Sequence, residues 1–147
     1  MLTLFTADQT GYIFLIHRLR EYFARESGTY LISGAPQCPL TDKYFQMKDM
    51  IVRAQFDLLF IQFYNNPGCD GVPGNGGVGE KFNYDDWEHF LKGTMSSDAK
   101  LFIGLLGAPG PDGPVGYDGY LGANDAVALV KQYKNRPSFG GVMVWDV

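Results

Sequence analysis

Gln62 and Tyr64 are the residues whose types and spacing point most directly to chemistry. They lie in F-I-Q-F-Y-N-N-P-G-C, residues 60–69, which starts as an apolar strand and ends in a polar turn. Leu58, Phe60, Gln62 and Tyr64 share one side of such a strand, and Leu59, Ile61, Phe63 and Asn65 the other. Both sides start apolar, so the strand is expected to be covered on both faces, as parallel strands are. A buried amide and a buried phenol on one face each need a hydrogen-bond partner. Their place at the strand's end suits the floor of a polar ligand site better than packing.

Other arrangements carry less. Asp86-Trp87-Glu88 has a carboxylate spacing that a glycosidase could use, but it falls in the first turn of a predicted helix, where acids meet the positive end of the dipole. Gly74, Gly76 and Gly79 match G-x-G-x-x-G. A dinucleotide fingerprint, however, must follow a strand directly and open a helix, and here it does neither. Glycine recurs at every third position from Gly104 to Gly122, collagen's period, yet the run overlaps a predicted strand and abuts a helix, so a loop rich in turns is the better reading. His17 has no partner at metal-ligand spacing, and His89 belongs to no Ser/His/Asp set. Cys38 and Cys69 form an even count, open to a disulfide or to two buried thiols.

The elements that must position these residues alternate regularly. A helical pattern over residues 12–26 puts Leu15, Leu19, Tyr22 and Phe23 on one face. A strand is predicted over 29–36, a helix from the loop at 39–42 to about 55, and the central strand over 56–65. A helix over 84–95, a strand over 100–106, a helix over 123–133 and a strand over 140–146 complete the chain. After the opening helix the order is β-α-β-α-β-α-β, which implies a parallel sheet with right-handed crossovers.

Composition limits the function classes. The 147 residues are one domain's worth, with 46% hydrophobic and 19% charged residues, so a packed α/β fold is expected and disorder is not. A net charge of −4 leaves no basic stripe to neutralise phosphates, which argues against a nucleic-acid partner. No apolar run reaches the roughly 20 residues that span a bilayer, and the start of the chain has no basic segment leading an apolar one.

Four blocks, SGAPQCPL at 33–40, QFYNNPGC at 62–69, KLFIGL at 100–105 and FGGVMVWD at 139–146, resemble glycoside hydrolase family 18. The likeness is to the plant and fungal class III chitinases and runs from residue 12 to 147. It implies a partial TIM (β/α)8 barrel, the C-terminal half with strands five to eight, in which residues 1–11 are unassigned and sites lie at the strands' C-terminal ends.

The resemblance further implies substrate-assisted retaining hydrolysis of β-1,4-linked N-acetylglucosamine, with no cofactor or metal. On it Tyr64 is the catalytic tyrosine, and Gln62, Met143 and Trp145 are substrate-binding. Cys38 and Cys69 match a disulfide joining two loops of the barrel's upper face. The family's acid belongs to D-x-x-D-x-D-x-E just before the opening helix, and residues 1–11 contain no glutamate. The chain is therefore expected to be truncated at both ends, inactive alone, and prone to self-association through exposed strand edges. A non-catalytic, lectin-like carbohydrate-binding member of the family is the alternative. Chitin or its oligomers are the implied partner, and an extracellular location follows from the family.

Overall fold

The computed structural model describes residues 8–72, 81–109 and 119–145. The elements are α1 (Thr10–Phe23), β1 (Ser33–Gly34), α2 (Lys48–Arg53), β2 (Leu58–Gln62), α3 (Tyr84–Leu91), β3 (Lys100–Leu106), α4 (Ala123–Tyr133) and β4 (Phe139–Trp145). The strands form one sheet in the order β1-β2-β3-β4. All three pairings are parallel, as the alternation predicts. The Gly74–Gly79 motif and the glycines at 110, 113 and 116 lie outside the described residues.

The two faces of the sheet differ. Leu59, Ile61 and Phe63 of one side of β2, and Leu101, Ile103 and Leu105 of β3, are buried against the helices. Trp87 and Leu91 of α3, Leu129 and Tyr133 of α4 and Ile51 of α2 complete that layer. The other side, with Leu58, Phe60 and Gln62, is only half-buried. The expected two-sided cover is thus met on one face, because among the described residues every helix packs on the same side. On the outer face of β4, Val142 and Val144 remain exposed and line an apolar groove of about 480 Å³ with α4.

Three local departures from the expected elements have physical causes. In β1 the ladder is cut short by Pro36, which has no N–H to give. The Asp57 carboxylate takes the Ile32 N–H at 2.6 Å, and only an isolated bridge between Gln37 and Gln62 continues the pairing. α2 starts late because Tyr44 and Phe45 donate to the Thr41 carbonyl in a turn, which sends Phe45 into the core. α2 ends at a buried Ser96, whose hydroxyl lies 2.9 and 2.8 Å from the Ile51 and Ala54 carbonyls and accepts the Phe56 N–H at 3.1 Å.

The opening helix is rotated from its expected face. Ile13 and Ile16 are buried, while Leu15 and Tyr22 stand exposed. Arg20 sets the rotation. It reaches the Gln55 carbonyl at 2.8 Å and the Asp57 carboxylate at 2.6 Å, on the same side as the buried isoleucines. His17 bonds the Arg53 carbonyl at 2.9 Å, one more tie along that seam.

At the far end of the sheet, Phe102 accounts for the Phe-Gly-Gly start of β4. A Cβ on Gly140 would lie 2.4 Å from the Phe102 ring, and Gly141 has φ +142, so the ring occupies the space that a side chain needs. A register shift at Leu101/Phe102 accompanies this contact.

Candidate active site

Parallel register aligns Gln62 and Met143 across Gly104 and sets Trp145 opposite Leu106 in the C-terminal half of the sheet. Gln62 pairs with Gly104, and Gly104 with Met143, so the three form one row. Gln37 bridges Gln62 at its far end. Trp145 comes two residues after Met143 on the same face of β4, and Tyr64 comes two residues after Gln62, past the end of β2 in the turn that follows it. No part of this juxtaposition is local in sequence.

Gly104 lets the row exist. A Cβ there would stand 2.5 Å from the Ile61 carbonyl oxygen and 2.8 Å from Met143 Cε. The Met143 methyl lies over Gly104, in space that a side chain there would take. Sequence reasoning passed over Gly104 as a member of the threefold glycine run. A glycine inside an otherwise unbroken strand pattern was the available signal.

Gln62 donates from Nε2 to the Ala35 carbonyl at 2.8 Å, and its backbone N–H goes to the Pro36 carbonyl at 2.9 Å. Both bonds pin it to the loop after β1. Tyr64 is buried. Its carbonyl accepts from Asn66 Nδ2 at 2.8 Å, Phe63 N–H donates to the Gly104 carbonyl at 3.1 Å, and Asn65 takes φ +57. Gly119, at φ +73, lies against this turn, where a Cβ would approach Tyr64 Cα to 3.0 Å. The segment after β3 therefore clamps the tyrosine's backbone. Trp145, by contrast, is 57% exposed, and its carbonyl accepts the Gly107 N–H at 3.0 Å. An indole held by its backbone with its ring open to solvent offers a flat surface to a ligand.

The disulfide Cys38–Cys69 ties the loop after β1 to the turn after β2, with Cα atoms 5.8 Å apart. Two residues that sequence reasoning missed support it. Trp87 Nε1 and Asn83 Nδ2 both donate to the Cys38 carbonyl, at 3.0 and 2.9 Å. The Asp86-Trp87-Glu88 carboxylates do not converge on a site. Asp86 is in the first turn of α3, while Glu88 pairs with Arg136 at 2.7 Å and accepts the Ser138 hydroxyl. Among the described residues, no group of His, Cys, Asp and Glu could hold a metal ion, and no helix is long and apolar enough to cross a membrane.

Burial pushes the Tyr64 phenol above its ordinary value, so at neutral pH it is a neutral hydroxyl able to donate. Burial likewise raises Tyr133, and it pushes Tyr84 up to about 12 against the opposing Ser138 hydrogen bond. These three folded-state values lie above that of an unfolded tyrosine, about 10. Their stabilising contribution is therefore complete below about pH 10 and is lost as pH rises through the folded values. In an alkaline titration, tyrosinate absorbance from these residues should appear together with loss of far-UV ellipticity. Full ionisation of all tyrosines with the ellipticity intact would contradict their burial.

Four parallel strands alternating with helices, with a polar and aromatic row near the strands' C-terminal ends, make up about half of a TIM barrel. No protein-family model matches the chain. It is 42% identical over 139 residues to Endochitinase A of Aspergillus niger, an alignment that covers 92% of this chain and 11% of the relative. Endochitinase 2 of Metarhizium robertsii is 39% identical over 143 residues, covering 92% of this chain and 33% of the relative. The crystal structure of the chitinase ICChI from Ipomoea carnea superposes with a TM-score of 0.73 at 26% identity, covering 96% of this chain and 48% of that one. The chain belongs to the glycoside hydrolase family 18 chitinases, and it spans about half of the solved domain and a third or less of these two curated relatives.

Proposed function

We propose that this chain carries half of a chitinase active site, the half that holds the N-acetyl group and the ring of the sugar being cleaved. The row Gln62–Gly104–Met143, with Trp145 beyond Met143 on β4 and Tyr64 in the turn after β2, carries this reading. In substrate-assisted hydrolysis the glycosidic oxygen takes a proton from a carboxylic acid and leaves. The carbonyl oxygen of the sugar's own N-acetyl group then bonds to the anomeric carbon, giving an oxazolinium ion that water opens with retention. The neutral Tyr64 hydroxyl would donate to that carbonyl oxygen and hold it in line for attack. Gln62 would hydrogen-bond the same sugar, Met143 would line the space beneath it, and the open Trp145 ring would face its apolar side.

The proton donor of such a step, a carboxylic acid, is not among the residues of this row. The motif D-x-x-D-x-D-x-E does not occur within the 147 residues, so we infer that these residues, tested by themselves, bind β-1,4-linked N-acetylglucosamine oligomers without turning them over. Loss of a general acid alone removes roughly 10²–10⁴ in rate. Trp145 is exposed and Trp87 is buried, so ligand binding should perturb tryptophan fluorescence through Trp145. We expect a saturable change with a chitin tetramer, absent in Trp145→Ala, and no products by chromatography. Turnover above background would overturn the inactivity. Absence of any binding would overturn the carbohydrate reading altogether. Binding that Tyr64→Phe leaves unaltered favours the alternative, a lectin-like member that has no use for the phenol.

Two further parts of the proposal follow from the open sheet and the family. Among the described residues β1 and β4 are the edge strands of the sheet, so self-association is expected, and sedimentation of the same sample would show species heavier than 16.3 kDa. An extracellular setting fits a polymeric substrate and a disulfide that links two loops.

A further inference from the structure

Tyr64 lies past the end of β2, one residue beyond the Phe63 N–H that donates to the Gly104 carbonyl at 3.1 Å. The turn that follows has a strained backbone. Asn65 takes φ +57, a left-handed value that residues other than glycine seldom adopt and that persists where the surroundings impose it. Those surroundings include a segment distant in sequence, residues 119–121. Gly119 is buried with φ +73, and a Cβ there would stand 3.0 Å from Tyr64 Cα and 3.2 Å from the Asn65 nitrogen. Both distances are shorter than the roughly 3.5–4.0 Å of a favourable carbon contact. The contact is backbone on backbone. Bulk added at position 119 therefore moves Tyr64 Cα itself, not a side chain that could rotate away.

The same segment holds the other end of the turn. Leu121 is buried, and a Cβ on Gly71 would stand 2.9 Å from its Cδ1 and 2.8 Å from Cδ2 of Leu129 on α4. One residue after Leu121, the Gly122 carbonyl accepts the Ala126 N–H at 3.0 Å as α4 begins. Residues 119–121 thus brace the stretch from Tyr64 to Gly71 at both ends and are themselves rooted in α4. Between those ends, Cys69 is tied to Cys38. A group that orients a substrate loses much of its effect with about 1 Å of misplacement, so what fixes Tyr64 Cα bears directly on what its phenol can do.

We propose that Gly119 is a positioning residue. Its packing on the Tyr64 backbone, with Leu121 over Gly71, sets where the phenol meets the N-acetyl carbonyl, and so sets the preference of the site for N-acetylated sugar. Gly119 acts on the sugar only through Tyr64. This inference rests on the reading of Tyr64 as the residue that holds the N-acetyl group.

Titration of the full chain, followed by Trp145 fluorescence, with two uncharged tetramers tests it. One is β-1,4-linked N-acetylglucosamine and the other β-1,4-linked glucose, which has no N-acetyl group. The unsubstituted chain is expected to prefer the first. Gly119→Ala should lose roughly five- to tenfold in affinity for it and bind the glucose tetramer as before. Tyr64→Phe should show the same selective loss, and the double variant no further loss. Gly119→Asn tolerates the left-handed φ but carries the same Cβ, so it should match Gly119→Ala and keeps the test open where alanine disturbs the fold. The positioning role would be overturned, with the Tyr64 reading left standing, by any of three results: N-acetyl preference retained in Gly119→Asn, both tetramers weakened alike, or losses that add in full with Tyr64→Phe. No N-acetyl preference in the unsubstituted chain would overturn both.

Discussion

Trp87→Ala is expected to cost about 3–5 kcal/mol, the largest single-residue loss in this chain. Trp87 is fully buried at the centre of the helical layer, edge-on to Phe45 at 5.1 Å and to Phe90 at 5.8 Å. Removing the ring leaves a cavity between Phe45 and Phe90. The substitution also deletes the Nε1–H bond to the Cys38 carbonyl. A domain of this size has only about 5–15 kcal/mol in total, so such a loss is a large share of it. Trp87→Phe separates the two effects. It keeps most of the packing and loses the hydrogen bond, for about 1–3 kcal/mol. Urea unfolding followed by far-UV ellipticity gives both numbers, and a loss below about 1 kcal/mol for the alanine variant would refute the packing account.

Loss of the disulfide is expected to have an effect of similar size. Cys38 and Cys69 are 31 residues apart, and closing such a loop limits the unfolded chain by about 3–4 kcal/mol in the entropy model. The doubly substituted Cys38→Ser, Cys69→Ser chain should lose that amount in the same urea experiment. Both cysteines are buried, so reductant should act slowly under native conditions and faster as urea opens the fold. Trp87 bonds the carbonyl of Cys38, so the two changes touch one structure. Combining them should cost less than the sum of the separate losses. Strict additivity would mean that the tryptophan and the disulfide support the loop independently.

The effect on ligand binding distinguishes the two. The disulfide joins the loop that carries Gln37 to the turn that follows Tyr64, on either side of Gln62. Its removal should weaken oligosaccharide binding even where the helical layer stays folded. Trp87→Phe leaves the covalent tie in place and should leave binding nearly as it was.

Much of the fold was legible in the residues. β3 and α4 have the bounds that their periodicity predicts, since each combines a clear repeat with flanking breakers. The short elements were less legible. β1 shrinks to two residues because an aspartate side chain, far off in sequence, takes a ladder N–H. The buried face of α1 could not be read, because Tyr12, Ile13, Phe14, Leu15, Ile16, Leu19, Tyr22 and Phe23 put apolar groups nearly all round it. Only the docking of Arg20 on Asp57 and Gln55 selects Ile13 and Ile16.

By itself the sequence determined the alternation of elements and, through its four blocks, the family. These are local properties, set by side-chain period and by short strings of residues. Tertiary structure alone decided what stands opposite what. Gly104 falls between Gln62 and Met143, and Gly119 presses on the back of Tyr64. Parallel register is set by how each crossover helix seats against the sheet, and that seating depends on residues dozens of positions away from the strands they align.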